Sequence, residues 1–220
     1  MARLKVGVLI SGRGSNLQAL IDAAADPLYP AEIVLVLSNR PEAAGLQHAA
    51  HAGIAHRAIP HPSREAFAAA ADAALRQSGA ELVALAGYMR ILDDGFVVSW
   101  RDRLVNIHPS LLPAFPGLHP QRQALAAGVR FSGCTVHFVR AEVDTGPIIG
   151  QAVVPVHPDD DEARLSARIL AAEHRLYPMA VRLFAEGRLQ VRGDRVVMVG
   201  TTIPDGPLFN PSEVLASRGG

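Results

Sequence analysis

Residues 4–25 read LKVGVLISGRGSNLQALIDAAA, and this stretch decides the fold class. The apolar run from Val6 to Ile10 has the composition of a buried strand. It ends at a glycine-rich turn, SGRGSN (residues 11–16), after which apolar residues recur at helical spacing. A strand, a glycine turn and a helix in this order form the first half of a βαβ unit. The sequence therefore predicts an α/β fold.

The same alternation of short apolar runs and alanine-rich helical stretches continues through the first half of the chain. The predicted strands are Leu4 to Ile10, Ile33 to Leu37, Ile54 to Ile59, Leu82 to Ala86 and Leu104 to Ile107. Helices are predicted near Asn16 to Ala25, Pro41 to Ala52, Ser63 to Gln77 and Asp93 to Trp100. Right-handed crossovers would place these helices on both faces of a mostly parallel, doubly wound sheet, giving three layers.

The pattern changes after Ile107. Residues 108–121 contain four prolines and one glycine, too many for the interior of a helix or strand. This composition predicts a long loop, and long loops in compact domains are often functional. Two late strands, Cys134 to Val139 and Ile148 to Val156, are predicted to be joined by the turn DTGP (residues 144–147).

A long helix is predicted after the acidic residues 159–161, with a kink or restart at Pro178. A hairpin over Leu189 to Val199 would follow it. The length of the chain suits one domain over residues 1–200, with an extended or flexible tail over residues 201–220.

Composition excludes several classes of protein. The 21 basic and 21 acidic side chains cancel, so no electrostatic field for nucleic acid is expected. The longest apolar runs are too short for a membrane span or a signal sequence. Cys134 is the only cysteine, which excludes an intrachain disulfide and suits the reducing cytoplasm. The nine histidines lack metal-ligand spacing, so no metal is expected.

The turn at Gly14, Ser15 and Asn16 is a candidate phosphate site. Its glycines allow close approach of the backbone, and the N–H groups of the following helix favour an anion. The alternative is an ordinary βα turn, which also favours glycine. A dinucleotide site is disfavoured because Leu17 replaces the third glycine, and a P-loop is disfavoured because no lysine follows Gly14.

The second motif is NIHPSLLP (residues 106–113), at the carboxyl end of the fifth predicted strand. Strand alternation puts Asn106 and His108 on the same side. An amide can stabilise a tetrahedral oxyanion and an imidazolium can donate a proton, so this pair suits acyl transfer. The alternative is that His108 merely caps a loop carbonyl.

Asp144, in the late turn, could supply a carboxylate that keeps His108 protonated. The alternative is a turn aspartate that hydrogen-bonds to its own backbone. A hydrolase triad of Ser15, His108 and Asp144 is also conceivable, although no nucleophile elbow of the Gly-x-Ser-x-Gly type is present.

These motifs together resemble a known family. They are, in order, ISGRGSN (residues 10–16), LAGYMRIL (85–92), NIHPSLLP with FPG (106–117) and DTGP (144–147). From about Val6 to about Gly187 the chain resembles the phosphoribosylglycinamide formyltransferases, folate-dependent enzymes of purine synthesis. The resemblance implies a Rossmann-like formyltransferase fold. It also implies transfer of a formyl group from 10-formyltetrahydrofolate to the amine of glycinamide ribonucleotide, without a metal.

The resemblance also implies roles for individual residues. The catalytic residues would be Asn106, His108 and Asp144. Residues implied to bind glycinamide ribonucleotide are Gly14, Ser15, Asn16, Pro109 and Glu173. Residues implied to bind folate are Arg64, Gly87, Met89, Arg90, Ile91 and Leu92. Gln121 and Leu170 depart from the family pattern beside the substrate.

Two related families share this chemistry. Methionyl-tRNA formyltransferases carry an extra C-terminal domain and a basic surface, and formyltetrahydrofolate deformylases usually carry an N-terminal regulatory domain. The short neutral chain and its Gly-Ser-Asn turn favour the ribonucleotide amine as acceptor. Small-molecule substrates and a monomer or homodimer are therefore expected. A nucleotide-binding module without catalysis and an NAD-linked dehydrogenase are the competing hypotheses.

Overall fold

A mixed seven-stranded sheet forms the centre of the computed structural model, which describes residues 2–60, 63–202 and 205–210. Its strands are β1 (Leu4–Ile10), β2 (Ala31–Ser38), β3 (His56–Ala58), β4 (Leu82–Leu85), β5 (Leu104–His108), β6 (Phe131–Phe138) and β7 (Ile148–Pro155). A separate hairpin consists of β8 (Leu189–Arg192) and β9 (Arg195–Met198). The helices are α1 (Ser15–Ala24), α2 (Gly45–His51), α3 (Arg64–Gln77), α4 (Asp94–Ser99), α5 (Pro120–Ala126) and α6 (Glu162–Ala185).

The strand order is β3-β2-β1-β4-β5-β6-β7. The first five positions are parallel, whereas β6 runs antiparallel to β5 and β7 antiparallel to β6. The predicted α/β class, mostly parallel with late antiparallel strands, is therefore confirmed. Because β1 has β2 on one side and β4 on the other, the strand order reverses at β1, and ligands bind at such points in open sheets.

Burial on both faces explains the continuous apolar composition of β1. Val8 and Ile10 pack in a core formed with α1, α2 and α6, whereas Leu9 packs in a second core with α3 and α4. Successive side chains of a strand point to opposite faces, so one strand contributes to both cores. The arrangement has three layers, as expected.

Several elements differ from the sequence prediction: β2 and β6 begin earlier, at Ala31 and Phe131, and α2 begins later, at Gly45. Three further differences concern α5, β3 and α6. α5 begins at Pro120, in a stretch for which no helix was predicted, because proline is favourable at the first position of a helix even though it disrupts helix interiors. β3 spans only His56–Ala58. α6 runs through Pro178 without a restart, and buried residues on both sides of the proline, Tyr177 and Val181, hold the helix against the sheet.

The proposed tail lies mostly outside the described residues, which omit 203–204 and 211–220. The division into a domain over 1–200 and a tail over 201–220 stays a prediction. Among the helices of the described ranges, none combines the length and the hydropathy needed to cross a membrane.

Tyr177 ties α6 to the carboxyl ends of two strands. Its ring is fully buried, and its hydroxyl shares one proton between the carbonyls of Leu85 (3.0 Å) and Val105 (3.2 Å). Burial raises the pKa of Tyr177 well above its usual range, so the hydroxyl remains a donor. Leu85 ends β4 and Val105 precedes Asn106, so the contact supports the edge of the sheet where the predicted site residues lie.

Replacing Tyr177 with phenylalanine should lower the free energy of unfolding by about 1–3 kcal/mol, because two buried carbonyls lose their donor. Urea unfolding measures the difference. Tyr88→Phe is the matched control, since it removes a hydroxyl from a ring that stacks on Phe67 and takes no part in this bridge. Equal stability of the Tyr177→Phe protein and wild type would show that the bridge contributes nothing.

Candidate active site

One serine hydroxyl joins the carboxyl ends of β1 and β4. Ser11 follows β1, and its Oγ accepts a hydrogen bond from the Met89 N–H (2.8 Å) and donates to Asn39 Oδ1 (2.6 Å). The Ser11 N–H donates to the Gly87 carbonyl (3.2 Å). The predicted phosphate turn and the predicted folate segment are therefore in direct contact at the point where the strand order reverses.

His108 is the last residue of β5, and 6% of it is exposed. Its Nδ1 lies 3.3 Å from Oδ2 of Asp144, whose side chain is 9% exposed. Its Nε2 lies 3.0 Å from the carbonyl oxygen of Phe115. Both ring nitrogens thus face acceptors, and only the imidazolium form carries a hydrogen on both. His108 is thus held between the Asp144 carboxylate on one side of the ring and a loop carbonyl on the other.

The loop between β6 and β7 carries Asp144 in a left-handed backbone conformation (φ 57°). The N–H of Phe138 donates to the Pro147 carbonyl (2.9 Å) and closes the base of this loop. Gly146 lies so close to the Phe138 carbonyl that a Cβ would overlap its oxygen. The Asp144 carboxylate accepts from the Gly117 N–H (2.9 Å), not from its own turn, so the local-turn interpretation of this residue is wrong.

Asn106 is held by a second buried histidine. Antiparallel pairing places Asn106 opposite His137, and Asn106 Nδ2 lies 3.3 Å from His137 Nε2. Burial lowers the pKa of His137, so this ring is neutral. Its Nδ1 lies 3.0 Å from the Phe138 carbonyl and donates to it, which leaves Nε2 to accept from the amide. The neutral ring therefore fixes which way the Asn106 amide points.

The glycine turn before α1 packs tightly against α2. Gly14 has a positive φ of 76°, and a Cβ on it would lie 2.5 Å from Gly45 Cα. Beyond the turn, Asn16 Nδ2 donates to Glu173 Oε2 on α6 (2.7 Å), and both residues are buried. Asn16 Oδ1 has no partner within the described residues. Burial raises the pKa of Glu173, and its hydrogen bond with Asn16 opposes this only in part.

An open cleft of about 460 Å³ lies beside this turn. It is lined by Arg13, Ser15, Gln18, Ala19, Asp22, His48 and His174. His48 Nε2 lies 3.1 Å from the carbonyl of Arg13, so α2 also supports the turn from this side. Of the residues predicted to bind the phosphorylated substrate, Ser15 lines this cleft, whereas Glu173 is buried against Asn16 and does not line it.

The predicted folate residues lie on one side of the sheet. Met89 is 75% exposed and Ile91 is 62% exposed, whereas Leu92 is buried in the core below them. Arg64 begins α3 and forms an exposed ion pair with Glu65 (3.5 Å). α3 reaches the same segment through the stack of Phe67 on Tyr88, whose ring centroids are 5.4 Å apart.

The arrangement argues against two kinds of nucleophile. Burial raises the pKa of the Cys134 thiol to about 12, with a smaller contribution from Glu173, so the thiol remains protonated. The hydrolase triad is not formed. The two ring nitrogens of His108 face Asp144 and the Phe115 carbonyl, and Ser15 instead lines the cleft at the start of α1.

No group of three or more potential metal ligands occurs among the described residues.

Residues 4–181 match the family model described as formyl transferase. The chain belongs to this formyl transferase family. Among its relatives in the family, the phosphoribosylglycinamide formyltransferase of Escherichia coli (strain K12) is 43% identical over 204 residues, which cover 91% of this chain and 96% of that protein. The expected resemblance to phosphoribosylglycinamide formyltransferases is confirmed.

Other formyl transferase relatives differ in length. The trifunctional purine biosynthetic protein adenosine-3 of Drosophila pseudoobscura pseudoobscura is 55% identical over 193 residues. That match covers 86% of this chain, and the chain spans only 14% of the trifunctional protein. The crystal structure of glycinamide ribonucleotide transformylase 1 from Symbiobacterium toebii has a TM-score of 0.87 and 52% identity, covering 89% of this chain and 94% of that one.

Two residues of the candidate site were missed by the sequence analysis. His137 was given no role there because no spacing rule connects it with Asn106, and only the pairing of β5 with β6 brings the two together. Ser11 was quoted as part of the glycine turn without a role of its own. The signal for Ser11 in the sequence was its position directly after β1. The structure shows that the ends of β1 and β4 lie side by side at this point.

The raised pKa of Glu173 predicts a pH-dependent difference between Glu173→Gln and wild type. The buried carboxyl favours its neutral form, so wild type loses stability as pH rises above the ordinary Glu value of 4.5 and through the folded-state pKa. Glutamine does not titrate and can still accept the Asn16 hydrogen bond. The stability of Glu173→Gln relative to wild type should therefore increase with pH.

Urea unfolding at several pH values between about 4.5 and 8 measures this difference. Glu142→Gln is the control for removing one negative charge, since Glu142 is exposed. A Glu173→Gln difference that stays constant over the whole range would contradict the expected burial effect.

Proposed function

We propose that this chain transfers a formyl group from 10-formyltetrahydrofolate to the primary amine of glycinamide ribonucleotide, giving formylglycinamide ribonucleotide and tetrahydrofolate. The observation that carries the proposal is the buried contact between His108 Nδ1 and Asp144 Oδ2 (3.3 Å), with Asn106 two residues earlier on the same strand. Its position beside the glycine turn and the exposed Met89 segment, in a member of the formyl transferase family, supports this reaction.

The first role is that of His108. Asp144 holds the Nδ1 hydrogen, while the Nε2 hydrogen points to a loop carbonyl, that of Phe115. When the formyl donor is bound, its formyl oxygen can share this second N–H with the loop carbonyl, which keeps the ring in its orientation. An imidazolium there stabilises the negative charge that develops as the amine attacks.

The second role is that of Asn106. An amide nitrogen carries two hydrogens, and the neutral His137 accepts one of them. The other N–H is available to the same developing oxyanion. A donor of this kind needs no reorganisation during the reaction, because its orientation is already fixed by the neighbouring strand.

The reaction is balanced without a metal or a redox cofactor. The neutral amine of the acceptor forms a C–N bond to the formyl carbon, and the tetrahedral intermediate then breaks the bond from that carbon to the folate nitrogen. One proton passes from the attacking amine to the departing nitrogen. Asp144, held by His108 and Gly117, is placed to order a water that relays this proton.

The acceptor would bind with its phosphate at Gly14, Ser15 and Asn16, at the N-terminus of α1. Pro109 and the buried Glu173 would contact the rest of this substrate, a role that the Asn16–Glu173 hydrogen bond supports. The folate would bind along Gly87, Met89, Arg90, Ile91 and Leu92, with Arg64 nearby. The exposed side chains of Met89 and Ile91 suit the face of a pterin ring.

We also propose a cytoplasmic location, which the free and buried thiol of Cys134 supports. A monomer or homodimer stays a prediction.

His108→Asn should reduce turnover by about 10²–10⁴-fold, the usual contribution of general acid–base catalysis, because asparagine can neither carry the charge nor donate the proton. Folate affinity should persist. A spectrophotometric assay measures turnover and calorimetry measures folate binding. His51→Asn is the matched control, because His51 is exposed at the end of α2 and should leave turnover at the wild-type level. Near-normal turnover of His108→Asn would remove His108 from the mechanism.

The acceptor is tested directly with the purified chain and 10-formyltetrahydrofolate. Glycinamide ribonucleotide should be formylated, whereas charged initiator tRNA and water should not act as acceptors. Hydrolysis of the folate with no dependence on the ribonucleotide would instead identify a deformylase. Failure to bind any reduced folate would favour a nucleotide-binding module, and saturable binding of NAD would favour a dehydrogenase.

A further inference from the structure

Thr135 lies directly opposite His108 in the antiparallel pairing of β5 and β6 and is completely buried. Its hydroxyl faces the loop that follows His108, and it uses all of its hydrogen-bonding capacity there. It donates to the Ser110 carbonyl (2.7 Å) and accepts from the Leu112 N–H (3.0 Å) and from Gln151 Nε2 (3.0 Å). A hydroxyl has one hydrogen and two lone pairs, so no further bond is possible.

The contacts of Thr135 continue into a small hydrogen-bond network that reaches the exposed Gln151 on β7. Gln151 Nε2 also donates to the Leu112 carbonyl (2.8 Å), so both backbone groups of Leu112 are bound. The Ser110 hydroxyl, itself buried, donates to the Ala114 carbonyl (2.6 Å). Residues 110–114 are thereby fixed from β6 and β7 by side chains that lie behind the loop.

The next residues of this loop contact the predicted catalytic pair. The Phe115 carbonyl lies 3.0 Å from His108 Nε2, and the Gly117 N–H donates to Asp144 Oδ2 (2.9 Å). Phe115 has a positive φ of 55°, a conformation that a non-glycine residue keeps only when its surroundings fix it. The loop therefore has to be held in one shape for both contacts to exist together.

We propose that Thr135 is a positioning residue for formyl transfer. Its hydroxyl fixes residues 110–114, and these in turn set the Phe115 carbonyl and the Gly117 N–H that orient His108 and Asp144. This inference rests on the proposed function for its catalytic consequence, although the positioning itself can be measured without turnover.

The hydroxyl, not the bulk of the side chain, carries this role. Thr135→Val keeps the volume but leaves the Ser110 carbonyl and the Leu112 N–H buried without their partner, which is the costly way to lose a hydrogen bond. Thr135→Ser keeps the hydroxyl and loses one methyl group. Ser132→Ala is the control on the same strand but the opposite face, because the buried Ser132 hydroxyl has no partner among the described residues.

Thr135→Val should lower kcat roughly tenfold, because the residues that orient His108 and Asp144 are less firmly held, while KM for both substrates stays within about twofold of wild type. Thr135→Ser should restore most of kcat, and Ser132→Ala should not change it. All assays are made below the melting temperature of each variant. A variant that is only less stable would have a lower melting temperature, but its kcat would not fall selectively while KM stayed unchanged.

Amide hydrogen exchange of Gly117, followed by NMR, reports on the loop directly. Exchange should be faster in Thr135→Val than in wild type and Thr135→Ser. If wild type proves not to formylate glycinamide ribonucleotide, the proposed function fails, while this measurement still decides the positioning role. If Thr135→Val does not fold, Gln151→Met, which removes two donated hydrogen bonds at the rim of the network, should show the same faster exchange and lower kcat. Unchanged kcat and unchanged Gly117 exchange in the folded variant would overturn the proposal.

Discussion

The structure depends most on a buried contact between the His108 ring and the Asp144 carboxylate. Both side chains are nearly excluded from water, so each needs hydrogen-bond partners within the protein. The backbone supplies the remaining partners: the Phe115 carbonyl faces the ring, and the Gly117 N–H donates to the carboxylate. The loop after β5 and the loop between β6 and β7 therefore enclose this pair together.

The antiparallel strands of the sheet make this enclosure possible. A purely parallel sheet would follow β5 with a helix, and the residues opposite His108 would then come from another βαβ unit. Because β6 returns beside β5, His137 is opposite Asn106 and Thr135 is opposite His108. Each predicted catalytic side chain of β5 thus has a supporting neighbour on β6, while the parallel strands lead into the turn and the segment that are predicted to bind the two substrates.

Local sequence patterns were sufficient for most of the fold. β1 was predicted with its observed bounds, and Asn106 and His108 were correctly placed at one strand end, because glycine turns and strand alternation act over a few residues. The meeting of Asp144 with His108 could not be derived from the residues alone, since it depends on how a distant loop folds back. His137 escaped notice for the same reason, because its role follows from strand pairing and not from spacing.

The contact between the glycine turn and α2 restricts how such sequences can vary. A Cβ on Gly14 would lie 2.5 Å from Gly45 Cα, and one on Gly45 would lie 3.0 Å from Gly14 Cα. Gly14 cannot acquire a side chain while the two backbones remain this close, and its positive φ adds strain to any substitution. A side chain on Gly45 would require the Ile10 side chain and the turn to move by a few tenths of an ångström. Mutational drift at Gly45, a residue with no predicted contact to either substrate, is therefore limited by the turn that it touches.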